Sequence, residues 1–218
     1  MTETGSVPYH RYKVRTKPEQ SETVMQYLHR STLFWNFICQ HLKDDVQTYL
    51  KETDTEESSL HFSDTLYALF EKIVNGSDLS EDLEISDAWK SYIPKIRELP
   101  RNLLTNRFVD MANAYRLAKQ NLLEKSERPT GIPKRKNNHS SQSIRFSPTD
   151  FKVEKGRILI DSVYPLTLEV DGINPSDFEG KNYYLSITKR PVPKSISEYG
   201  PEDPLDPVYV VTLKEENQ

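Results

Sequence analysis

The stretch GIPKRKNNHSSQSIRF, residues 131–146, sets Lys134, Arg135 and Lys136 in a row and follows them with the polar run from Asn137 to Gln142. Upstream, LPRNLLTNRF adds Arg101, Asn102, Asn106 and Arg107. Lys and Arg neutralise phosphates, while Asn, Gln and Ser donate and accept at backbone and base edges. The chemistry on offer is recognition of a phosphate-bearing polymer. Nearby aromatic residues can stack on bases. Tyr115 falls at core spacing on a helix, and Tyr183-Tyr184 on a strand points one ring in and one out.

The charge is distributed to match. Residues 1–89 hold 8 Lys/Arg against 16 Asp/Glu, a balance of −8. Residues 90–145 hold 13 against 4, a balance of +9, and residues 146–218 hold 8 against 13, a balance of −5. The net charge of −4 thus conceals a basic block that can serve as a local footprint for phosphates. The competing explanation is a solvated helix face neutralised by the acidic helices of the same chain.

Catalytic patterns are absent. His10, His29, His41, His61 and His139 are scattered, without HxxxH or HExxH spacing. No GxSxG, GxGxxG or Walker motif occurs. Asp44-Asp45 and Glu81-Asp82 read as solvated charges on helices, and no carboxylates converge from separate strands as a metal-dependent nuclease needs. The single Cys39 can form neither an internal disulfide nor a CxxC zinc site, and its apolar setting, LFWNFICQHL, reads as a buried thiol. A non-enzymatic chain without a cofactor is expected, in a reducing cytoplasm by default. No apolar run of about 18 residues exists, and MTETGSVPYHRYK lacks a signal-peptide core, so no membrane partner is expected.

The elements that must position these residues fall into two halves. Residues 9–16 alternate as a strand, with Tyr12 and Val14 on one side and Arg11, Lys13 and Arg15 on the other. Lys17-Pro18-Glu19 opens a helix whose apolar series runs from Val24 through Trp35 and Ile38 to Leu50. KETDTEESS, 51–59, reads as an acidic loop. A second helix spans about 59–75 and stops at Asn75-Gly76. A third carries Trp89, Tyr92 and Ile96. A fourth, about 101–126, has the apolar line Leu104, Phe108, Met111, Tyr115, Ala118 and Leu122, with Arg101, Arg107, Arg116 and Lys119 off that line on a shared flank. From Ser143 the period is near two, giving strands at 143–147, 151–154, 157–161, 165–170, 182–189 and 207–214. The proline-rich 191–207 reads as an irregular loop. The predicted fold is α+β: a small antiparallel β-barrel, residues 9–17 and 143–214, with an inserted helical lobe at 18–130 and a basic connector at 131–142.

Three segments carry a family resemblance. YHRYKVRTKPEQSETVMQYLHRSTLFWNF resembles the start of TnpB proteins, the transposon-encoded RNA-guided nucleases related to type V CRISPR effectors. The shared pattern is a basic strand, then Pro and Glu-Gln, then a helix with an aromatic-Asn pair, here Trp35-Asn36. LPRNLLTNRFVDMANAYRLAKQNLL resembles their helix leading to an Ala-aromatic pair, here Ala114-Tyr115. GIPKRKNNHSSQSIRF resembles their Pro-basic-Lys, Gln-Ser, strand segment. The resemblance covers roughly residues 9–190.

It implies a wedge barrel interrupted by a helical recognition lobe, which together bind guide RNA, its heteroduplex with target DNA and a short flanking motif. It implies nucleic-acid-binding roles for Lys13, Arg15, Arg101, Asn102, Asn106, Arg107, Lys134, Arg135, Lys136 and Ser143. Departures are also present. The family continues into a RuvC-type nuclease domain, whereas this sequence ends at VYVVTLKEENQ, about where that domain begins, so nuclease activity is not expected. Thr32 stands where the family often has Arg, and the helical lobe is acidic. Two further readings stand beside an RNA-guided binder. One is a protein-interaction module that docks on a RuvC-containing subunit or a larger effector. The other is a fragment of a longer nuclease.

Overall fold

The computed structural model describes residues 9–15, 18–51, 55–79, 83–124, 131–137, 141–160, 166–189 and 209–215. Among them the chain is α+β, with five α-helices and seven strands whose pairings are all antiparallel. It forms two compact units, residues 1–29 with 137–218, and residues 30–136. The second is therefore an insertion in the first.

The β unit contains β1 (Tyr9–Arg15), β2 (Gln142–Phe146), β3 (Phe151–Glu154), β4 (Arg157–Ile160), β5 (Leu166–Val170), β6 (Tyr183–Lys189) and β7 (Tyr209–Glu215). Their order is β2-β6-β7-β1-β5-β4-β3. The N-terminal strand, which needs a sheet to join, sits between β7 and β5. Register follows the two-residue period, because a slip of one residue would turn every apolar side chain outward. Ile144 pairs with Ile187, Leu185 with Leu213, Ile158 with Leu168 and Val14 with Val170. All but Val14 are at most 3 % exposed. Of the tyrosine pair, Tyr183 is buried and Tyr184 half-buried, with Arg145 4.9 Å over its ring. β2 and β3 end the order, and no pairing between them occurs among the described residues. The proline-rich segment 191–207 lies outside the described residues.

The helical elements are α1 (Pro18–His41), α2 (Lys43–Lys51), α3 (Thr55–Val74), α4 (Asp87–Arg97) and α5 (Arg101–Leu123). The single helix expected to residue 51 is divided at Leu42. The i to i−4 ladder nevertheless continues through it, with Leu42 N–H donating to Ile38 O at 3.0 Å and Val46 N–H to Leu42 O at 2.9 Å. The expected acidic loop at 51–59 is shorter than read, since α3 begins at Thr55. An acidic sequence suits a first helical turn as well as a loop.

The core of the inserted unit contains a set of interlocking aromatic rings among its Leu and Ile side chains. Phe37 meets Trp89 edge-on at 5.2 Å, Phe62 meets Tyr115 edge-on at 5.3 Å, and Tyr49 stacks on Phe62 at 4.5 Å. α3 ends at Asn75-Gly76, where Gly76 takes φ +76° and Ser77 N–H donates to Lys72 O. Arg97 of α4 donates to Ile73 O at 3.0 Å and Ser77 O at 2.7 Å, satisfying carbonyls at that helix end. Among the described residues no helix is long and apolar enough to cross a membrane.

Gly156, in the two-residue turn between β3 and β4, adopts φ +75°. A Cβ there would meet nothing within 4 Å, so only the backbone conformation opposes a side chain. Gly156→Ala is expected to cost about 1–2 kcal/mol in urea unfolding. An unchanged midpoint would contradict this.

Candidate nucleic-acid interface

The residue before a proline is held away from the helical region, so Ile132-Pro133 starts an extended segment. An extended segment outside a sheet leaves its N–H and C=O groups in need of partners. Residues 133–136 find them on α1. Trp35 Nε1–H donates to the Lys134 carbonyl at 2.8 Å. Asn36 Nδ2 donates to the Lys136 carbonyl at 2.8 Å, and Lys136 N–H donates to Asn36 Oδ1 at 2.7 Å. The Asn36 amide thus closes a two-bond ring with one residue of the segment, as a neighbouring strand would. One turn further on, Cys39 Sγ lies 3.8 Å from the Pro133 carbonyl and takes a weak hydrogen bond from the Tyr115 hydroxyl, also at 3.8 Å. Positions 35, 36 and 39 share one side of α1, which makes this clamp continuous.

The clamp sorts the three consecutive cations. Lys134 and Arg135 are exposed, while Lys136 is half-buried with Nζ 4.9 Å from the Trp35 ring centroid. Arg107 of α5 is only 5 % exposed, and its guanidinium lies 4.4 Å from the same ring. Asp110 Oδ2 is 4.0 Å from Arg107 Nη1. A desolvated cation over an indole gains up to about 2 kcal/mol, which offsets part of the cost of burial. Burial lowers the Arg107 pKa to about 10. Burial first, and then repulsion from Arg107, lower Lys136 to about 8. Burial pushes the Cys39 thiol up, and burial with the neighbouring Cys39 pushes up the Tyr115 hydroxyl.

The other candidates are distributed as follows. Arg101 is exposed, 3.9 Å from Glu71. Asn102 is half-buried and Asn106 is buried. Lys13 and Arg15 occupy β1, opposite Val210 and Glu169, and their side chains lie outside what is described. Ser143, half-buried in β2, pairs with Thr188. Of the ten, Arg107 and Lys136 converge on Trp35.

The expected shared flank of Arg101, Arg107, Arg116 and Lys119 does not exist. Arg101 and Arg116 are exposed, whereas Arg107 and Lys119 are buried. The reason is aromatic cover: Lys119 Nζ lies 4.0 Å from the Tyr49 ring as Arg107 lies on Trp35. Leu122, expected on the apolar line, is 52 % exposed. His41 packs against Phe37 at 4.4 Å and Trp89 at 6.0 Å, and burial lowers its pKa. Among the described residues no group of three or more His, Cys, Asp or Glu is placed to hold a metal ion.

Sequence reasoning noted Trp35-Asn36 only as part of a resemblance. Its partners lie 99 and 100 residues away, beyond the reach of local periodicity. No family model and no curated protein matches the chain.

Lys136 gives the unit a pH dependence of definite sign. Between its folded value of about 8 and the ordinary lysine value of 10.5, the unfolded chain binds more protons than the folded one. This residue's contribution to stability therefore rises with pH in that window. Cys39 and Tyr115, both raised, work in the opposite sense above their ordinary values, so a differential comparison is needed. Relative to the parent chain, Lys136→Met is expected to lack a rise in unfolding free energy between about pH 8 and pH 10.5. Parallel urea profiles for the two proteins would contradict the assignment.

Proposed function

We propose that this chain is a non-catalytic RNA- and DNA-binding protein of the cytoplasm, built like the recognition half of a TnpB-like RNA-guided effector. In this reading β2 and β3, which end the strand order among the described residues, meet to complete a wedge-like barrel. The basic connector meets the sugar-phosphate backbone of a guide-type RNA or of its heteroduplex with target DNA. One observation carries the reading. The connector's main chain is fixed by Trp35 and Asn36 while the adjacent Lys134 and Arg135 side chains remain exposed. Cations on a fixed backbone lose less freedom on meeting phosphates than cations on an unrestrained loop. Arg101, exposed at the start of α5, extends the set.

A second reading is a module that docks on a RuvC-containing subunit or other effector protein. It is supported by the exposed carboxylates Asp44, Asp45, Asp64 and Asp87, and by Tyr67, which is 53 % exposed.

RNA binding measured over a salt series separates the two. Lys134→Ala with Arg135→Ala is expected to weaken binding and to reduce the slope of log K against log salt by about 1.4–1.8, two phosphate contacts' worth. An unchanged slope and affinity would remove the connector from the interface. Absence of RNA binding in the parent chain would favour the docking module.

A further inference from the structure

Arg107 carries an unused binding edge. Asp110 sits on its Nη1 side at 4.0 Å. Its Nε and Nη2 are buried and have no hydrogen-bond partner among the described residues. Those two atoms form one side of the guanidinium plane, and their N–H groups point in parallel. This is a fork with which arginine takes two oxygens of a single carboxylate or phosphate. Buried polar groups are almost always satisfied, and an exception calls for a specific explanation. A second cation stands close by, since Lys136 Nζ lies over the same Trp35 ring. Two positive side chains gathered around one indole, with two aligned donors unmet, describe a site for negative charge.

We propose that the Nε–Nη2 edge of Arg107, with Lys136 beside it, binds a small oxyanion of the phosphate class. Such an ion satisfies both donors and offsets the charge collected at Trp35. A free inorganic phosphate and a strand phosphate of a nucleic acid share this chemistry. Only the strand phosphate rests on the function proposed above.

The test follows the Arg107 Nε–H signal of the full chain in a proton–nitrogen correlation spectrum. Inorganic phosphate is titrated at constant ionic strength against chloride, and a short RNA is titrated separately. A saturable shift of that signal is expected. Arg107→Lys, which keeps the charge but lacks the fork, is expected to lose the phosphate-dependent rise in Tm. A shift with phosphate, together with unchanged RNA affinity in Arg107→Lys, assigns a free ion. A shift with RNA but not with phosphate assigns a strand phosphate. No shift with either probe overturns the proposal, and does so on the parent protein even if Arg107→Lys fails to fold. That result would leave the salt series on Lys134 and Arg135 to stand or fall separately.

Discussion

The inserted unit depends on one constraint: an extended segment with unpaired main-chain groups must be satisfied by a helix. A helix uses its own backbone groups internally, so only its side chains can serve. Trp35 and Asn36 supply a donor to Lys134 and a donor–acceptor pair to Lys136. Each such bond contributes about 1 kcal/mol net, but leaving a buried main-chain group unmet costs more. The side-chain arrangement of the connector follows from this. Once its backbone is fixed at 134 and 136, Lys134 and Arg135 stand exposed and Lys136 turns toward the indole.

The same indole explains how the inserted unit tolerates buried cations. Arg107 and Lys136 both lie over Trp35, and Lys119 lies over Tyr49. Aromatic faces accept cations without supplying a carboxylate, so positive charge is kept within a unit whose α2 carries exposed Asp44 and Asp45. The cost is visible in the lowered pKa values of Arg107 and Lys136, each dominated by burial. Tyr115 and Cys39 complete the packing beneath the segment through their weak Sγ contacts.

Much of the fold was legible in the sequence because it rests on periodicity. The two-residue alternation around Ile144, Leu168, Leu185 and Leu213 marks four of the strands, and the need of residues 9–16 for a sheet anticipates that β1 pairs with C-terminal strands, though not which ones. Asn75-Gly76 announces a helix end that the structure keeps. What was not legible depends on long-range side-chain chemistry. Arg107 and Lys119 sit off the apolar line of α5 yet are buried, because aromatic rings from α1 and α2 cover them. The direction of each cation in Lys134-Arg135-Lys136 depends on bonds to residues about a hundred positions earlier, which no local pattern encodes.

The connector is thus a short basic segment whose backbone is fixed by α1 and whose exposed cations are available to a polyanion. The most direct test is hydrogen exchange at the Lys136 amide, the donor to Asn36 Oδ1. If the clamp holds the segment, this amide exchanges slowly in the parent chain and at least about tenfold faster in Asn36→Ala, as loss of a ~1.4 kcal/mol hydrogen-bonding contribution implies. Exchange at the free-peptide rate in the parent chain would contradict the clamp, and with it the fixed presentation of Lys134 and Arg135.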